Sequence, residues 1–214
     1  MSDASEGRAP LPAGWRRLVL KELCSLQVGP HIRSEERMGA GDGVPIVLPR
    51  DLSQQRIAQV ERVFLDPVRA GSLDRFRLAE GDLLVTRTGT VGRCALVTGE
   101  HHGWLYTQMI RLRLDAPQAD LSLAAYLTGY LSAGAAQRWI KRRSAGATIP
   151  SINLRDMGEL PVLLPPPGEQ RDIGETLAAL DEKVRVHTEI ARATGEYRAL
   201  LADLLMTGEL SPGR

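Results

Sequence analysis

Residues 165–208 read PPPGEQRDIGETLAALDEKVRVHTEIARATGEYRALLADLLMTG, and this stretch decides the architecture. Proline fixes φ and lacks an N–H, so Pro165-Pro166-Pro167-Gly168 predicts a stiff hinge and a domain boundary. Beyond it Glu169, Asp172 and Glu175 sit where acids favour a helix N-terminus, and Gly208 and Pro212 supply the stop. Leu177, Leu180, Val184, His187, Ile190, Thr194, Tyr197, Leu201 and Leu204 step by three and four, one stripe along one helix over about 169–207. An amphipathic helix packed on its own domain would show such a stripe too. At about 1.5 Å per residue, however, this one would reach nearly 60 Å, longer than a domain of this size is wide, so the stripe calls for a partner helix. Gly195 weakens the helix by roughly 1 kcal/mol relative to alanine and is the expected place for a kink.

Upstream the pattern changes. Residues 1–12 hold little to bury and predict a disordered leader, with order beginning near Trp15. Val44–Leu48, Val60–Leu65, Leu83–Thr86, Ala95–Thr98 and Met109–Leu114 are short runs rich in β-branched residues, punctuated by Gly39, Gly41, Gly43, Asp66-Pro67, Gly89 and Gly92. This half is sheet-rich. Residues 121–143, LSLAAYLTGYLSAGAAQRWIKRR, carry apolar side chains at helical spacing and predict two helices joined near Gly134. Ser151 or Asn153 can cap a short helix, and Leu160–Leu164 can form a last strand.

The composition, with 43% hydrophobic and 25% charged residues in 214, is that of an ordinary globular chain. No apolar run approaches the roughly 18–20 residues of a membrane span, and MSDASEGRAPLPAG lacks the order of a signal peptide, so a cytoplasmic protein is expected. Cys24 and Cys94 stand far apart and suggest buried small hydrophobes rather than a disulfide or a zinc site. A formal net charge of +1 leaves nucleic acid open, since binding needs a local basic face rather than a basic total.

Catalytic motifs are missing from the sequence. There is no G-x-x-x-x-G-K-[ST] loop, and Gly89-Thr-Val-Gly92 does not make G-x-G-x-x-G. No Asn or Asp precedes Pro165-Pro166-Pro167, so it is not an amino-methyltransferase motif. His101-His102 has only Glu100 nearby and reads as a solvated turn, not a metal site. What stands out is basic and hydroxyl-bearing. Thr86, Arg87, Thr88, Thr90 and Arg93 share a glycine-containing loop between two strands, and Arg138, Lys141, Arg142, Arg143 and Ser144 end a helix, followed by Thr148, Ser151 and Asn153. Basic residues also favour helix C-termini for local reasons, and composition alone leaves both readings open. Phosphate contact uses Lys, Arg and backbone amides, whereas base reading uses Arg on guanine and Asn or Gln on adenine.

At these residues the chain resembles the specificity subunits of type I restriction-modification systems. The resemblance begins at Gly14-Trp15-Arg16-Arg17-Leu18 and runs through Gly81-Asp82-Leu83-Leu84, Gly89-Thr-Val-Gly92 and Thr148-Ile-Pro-Ser-Ile-Asn153. It is strongest over Leu160–Gln170 and Leu177-Ala-Ala-Leu-Asp181, ends on Leu204-Leu-Met-Thr-Gly208, and so spans about residues 14–210. It implies a target recognition domain followed by a spacer helix. Full members of the family carry two such units in tandem, their helices antiparallel, and assemble with two methyltransferase subunits that supply S-adenosylmethionine and catalysis. A restriction subunit can join them. This sequence holds one unit only.

The expectation is therefore an α+β protein without a catalytic site, cofactor or metal of its own. It comprises a mixed sheet-and-helix recognition domain at 13–165, a helical dimerisation arm at 168–208 and a tail at 209–214. The domain is expected to contact double-stranded DNA through residues 86–93 and 138–153, with Arg50, Gln54 and Gln55 as further candidates. The arm is expected to hold a second copy and to dock the methyltransferase subunits. A recognition fragment of a single-chain methyltransferase-nuclease and a coiled-coil protein that sequesters methyltransferase are the alternatives.

Overall fold

A computed structural model describes residues 10–39, 42–58, 61–115, 120–145 and 148–210. Residues 1–9 of the expected leader, 211–214 of the expected tail, and Gly41 and Val60 lie outside the described residues. In chain order the strands are β1 (Arg16–Val19), β2 (Cys24–Val28), β3 (Arg37–Met38), β4 (Val44–Val47), β5 (Leu52–Ser53), β6 (Arg56–Ile57), β7 (Val63–Leu65), β8 (Leu83–Thr86), β9 (Cys94–Leu96), β10 (Leu105–Tyr106), β11 (Met109–Leu114) and β12 (Pro161–Leu164). The α-helices are α1 (Pro67–Gly71), α2 (Leu121–Ser132), α3 (Gly134–Ser144), α4 (Leu154–Gly158) and α5 (Pro167–Met206).

Leu83-Leu84-Val85-Thr86 is buried throughout, without the alternation of a half-exposed strand, because both faces of its sheet are covered. That sheet is antiparallel, in the order β2-β11-β8-β9. On one face Leu83, Val85, Ile110 and Leu112 join a core completed by α2, α3 and α4 through Leu127, Ile140 and Met157. On the other, Leu84, Ala95 and Met109 join a second core with the sheet β10-β4-β7-β3 through Ile46, Leu65 and Tyr106. The period of two along β8 and β11 thus divides one strand's side chains between two cores. Among the described residues the one parallel pairing, β10 on β4, belongs to the second sheet.

Each apolar run forms a strand, and the two helices meet near Gly134 as expected. Neither cysteine forms a disulfide and both are buried, and burial, with Asp115 adding to it, pushes the Cys24 thiol up to about 12. His101 departs from the sequence reading: it is not a solvated turn residue but is buried, its Nδ1 2.9 Å from the Thr98 hydroxyl and its ring edge-on to Trp104 at 4.7 Å.

The proline run behaves differently from a simple hinge. Pro167 is the first residue of α5, where a missing N–H costs nothing, so the helix begins inside the run. The Gln170 amide, buried, donates to the Pro165 carbonyl at 2.7 Å, and the Trp15 indole donates to Glu169 at 2.9 Å. Gly174 approaches α2 closely: a Cβ there would lie 3.2 Å from the Tyr126 nitrogen and 3.3 Å from the Ala125 Cβ. The first turns of α5 therefore belong with the compact unit that runs to Glu175, and a second unit begins at Thr176. In the second unit α5 continues through Gly195 without interruption, and Leu180, Val184, Ile190 and Tyr197 are all more than half exposed, while Leu201 and Leu204 are partly covered. No helix of the described residues is long and apolar enough to cross a membrane.

Candidate nucleic-acid interface

Thr86 ends β8 and Cys94 begins β9, so the residues between must turn the chain back. The turn is built from the Thr86 side chain, whose hydroxyl donates to the Thr90 carbonyl and accepts from the Arg93 N–H at 3.0 Å. Gly92 has φ +91°, and a Cβ there would come 3.1 Å from the Gln137 amide oxygen. The Gln137 amide in turn donates to the Gly92 carbonyl at 2.8 Å, fastening the loop to α3. On its other side the Gly89 N–H donates to the Pro150 carbonyl at 2.9 Å, the Ile152 N–H to the Arg87 carbonyl at 2.9 Å, and Thr88 bridges Ser151. The two basic clusters of the sequence, 86–93 and 138–153, are one structural neighbourhood.

Three clefts surround this loop. One, of about 510 Å³, places Gln54 and Gln55 across from Thr90 and Arg93. A second, of about 430 Å³, gathers Arg87 and Thr88 with His31, Pro49 and Gln108. A third, of about 440 Å³, adds Arg138 and Lys141 of α3 to Gly89 and Val91. Among the described residues no aspartate or glutamate lines any of the three, although the whole chain carries 26 acids against 27 Lys and Arg. Such a region attracts a polyanion while the protein as a whole stays near neutral. Among the described residues the Arg87 Nε is buried without a hydrogen-bond partner, as are the Nε atoms of Arg37 and Arg111.

Several candidates fall elsewhere. Thr86 and Ser144 are buried, with hydroxyls engaged by backbone carbonyls, and Asn153 caps α4 by accepting from the Asp156 N–H at 2.8 Å. These three side chains are occupied in shaping the loops rather than offered to a ligand. Arg50 lines a separate, smaller cleft with Asp51 and Glu61. Arg143 stacks on Trp139, its guanidinium carbon 4.6 Å from the ring centre. Arg142, Thr148 and Ser151 are exposed.

Sequence reasoning missed His31 and Gln108, whose neighbours carry no motif. The backbone does distinguish them. The described non-glycine residues with positive φ are Gln54 (+48°), Gln55 (+62°) and Gln108 (+54°), and all three line the clefts beside the loop. The left-handed region costs an L-residue about 1–2 kcal/mol, and asparagine or glycine would be the usual occupant. No group of His, Cys, Asp and Glu among the described residues could hold a metal ion.

Residues 12–193 match the family model of the type I restriction modification DNA specificity domain. No curated protein is significantly similar in sequence. Among solved structures the chain is similar to one from a study of complex assembly and conformational transition of the type I R-M system, at 22% identity and a TM-score of 0.64, covering 93% of this chain and 45% of that one. It is also similar to the HsdS subunit from Thermoanaerobacter tengcongensis, at 21% identity and a TM-score of 0.58 over 86% of this chain and 42% of the other. The type I restriction-modification S subunit from M. genitalium is a third, at 20% identity and 0.59, with coverage of 90% and 46%. The chain thus spans less than half the length of each of these three structures. With the family model covering most of its length, the chain belongs to the type I restriction modification DNA specificity domain family.

Proposed function

We propose that this type I specificity subunit, a recognition module rather than an enzyme, works as a half-length form that pairs with a second copy through α5. Each copy reads one half of an inverted, interrupted DNA site, and the pair offers docking surfaces to methyltransferase subunits. Those subunits bring S-adenosylmethionine and transfer the methyl group; a restriction subunit can complete the assembly in the cytoplasm. The observation that carries the reading is the set of three clefts around residues 87–93, lined among the described residues by Arg87, Arg93, Arg138 and Lys141 and by no aspartate or glutamate. Cations of this kind neutralise phosphates, while amides and guanidinium groups between them read base edges.

The test combines the full chain with its methyltransferase subunits, S-adenosylmethionine and genomic DNA, followed by single-molecule sequencing of the methylated positions. The expected product is a split palindrome, and the chain alone transfers no methyl group. A continuous site, or methyl transfer by the chain alone, overturns the proposal.

A further inference from the structure

Resting on the DNA-recognition reading above, we propose that Gln54, Gln55 and Gln108 are specificity-determining residues that read adenine in A·T pairs, and that His31 positions Gln108 for this task. The argument begins with the turn between β5 and β6. Leu52 pairs with Ile57 and Ser53 with Arg56, leaving Gln54-Gln55 as a two-residue loop with both φ values positive, as a type I′ turn requires. That turn is ordinarily made by Asn-Gly or Asp-Gly, and a glutamine pair is poor chemistry for it. Where a sequence breaks a local rule and the fold keeps the strained geometry, a functional constraint is the first explanation to test.

The hairpin is firmly seated. The Leu96 N–H of β9 donates to the Gln55 carbonyl at 3.1 Å, so the strained turn is fixed on the central sheet beside Thr90 and Arg93. Gln54 is exposed. Gln108 repeats the theme on the opposite side of the loop. It holds φ +54° immediately before β11, and its amide nitrogen donates to the His31 Nδ1 at 2.7 Å. One N–H is thereby used for orientation, which leaves the carbonyl oxygen and the second N–H for a ligand. An amide presenting one acceptor and one donor matches the N6 amine and N7 of adenine in the major groove, a pairing no other base edge offers in that arrangement. Arg87 and Arg93, on the loop between, suit guanine or phosphate instead.

The experiment selects from a pool of duplexes with a randomised central region, using the full chain with its methyltransferase subunits. Wild type is expected to enrich a motif containing A·T pairs in each half. Gln54→Ala and Gln108→Ala should each weaken the preference at one or two of those pairs by roughly 5- to 150-fold, with affinity for unselected duplex nearly unchanged. His31→Ala should weaken the same position as Gln108→Ala. The double substitution Gln54→Asp, Gln55→Gly supplies favoured turn residues while removing the donor that adenine N7 needs; it should raise the melting temperature and still lose the A·T preference, an outcome that a purely structural role for the pair does not produce. A motif of G·C pairs only, or one unchanged in all variants, overturns the assignment and leaves DNA recognition standing. No enrichment of any motif by wild type overturns both.

Discussion

Asp82, 1% exposed, grips Arg113 through two hydrogen bonds of 2.7 Å and accepts the Ala79 N–H at 2.8 Å. Removing its charge leaves a guanidinium and an amide poorly matched beside the second core. Asp82→Asn is therefore expected to cost about 2–4 kcal/mol, less than a fully buried pair because Arg113 keeps some solvent contact. Calorimetry should show the melting temperature falling by about 5–15 °C. His101 gives a pH dependence. Burial holds its pKa below the usual histidine value, with Glu100 opposing and Arg62 adding to the effect. The unfolded chain then binds a proton that the folded one resists, so this contribution is fully present above the unfolded value of about 6.5, begins to be lost as pH falls below it, and is gone once pH has fallen through the lower folded value. Melting temperatures measured from pH 7.5 to 5.5 should decline in wild type and decline less in His101→Gln.

At the scale of elements, α5 presents Leu180, Val184, Ile190 and Tyr197 to solvent, an apolar row that a second helix would cover. Val184→Glu with Leu201→Glu should convert the expected dimer to a monomer in light scattering at tens of micromolar, without changing the melting of the compact unit. A wild-type monomer under the same conditions contradicts the pairing. The long elements were legible in the sequence for a physical reason: α2, α3, α5 and β11 each repeat a pattern over enough residues to reveal a period, and the Asn153 cap has its own chemistry. The short ones were not. Gln54-Gln55 carries no turn signal, so the β5–β6 hairpin left no trace, and β10 is two residues long and borrows its place from β4. For the same reason the two basic clusters were recognised separately, while the backbone bonds from Gly89 and Ile152 that unite them left no residue signature.

At the scale of the whole molecule, the proposed dimer makes a strict prediction: two copies related by a two-fold axis would present the same side chains to the duplex and so read identical half-sites in inverted orientation. A 40-residue helix rises about 60 Å, so arms pairing antiparallel about His187 limit the separation of half-site centres to roughly fifteen to eighteen base pairs. Seven residues inserted into α5 near His187 should lengthen the unread spacer and leave each half-site unchanged, as sequencing of methylated DNA would report. Phosphate binding scales differently: replacing Arg138 or Lys141 by alanine should reduce the slope of log affinity against log salt by about one unit for each phosphate no longer neutralised, without altering the motif. Finally, β1 lies antiparallel to β12, with Arg16 opposite Leu164 and Val19 opposite Pro161, and the Leu20 N–H extends the ladder to the Leu160 carbonyl at 2.9 Å. The polypeptide thus enters and leaves the globular body through two strands about 4.8 Å apart. Everything between them is topologically an exchangeable cassette. A gene crossover at both strands imports a foreign reader of any length, provided that it offers the same adjacent pair of ends and a helix that receives Gly174 as α2 does through Ala125 and Tyr126. A chimera joined at Val19 and Pro161 should fold, keep this chain's helical arm and its spacer, and mark the donor's half-sites.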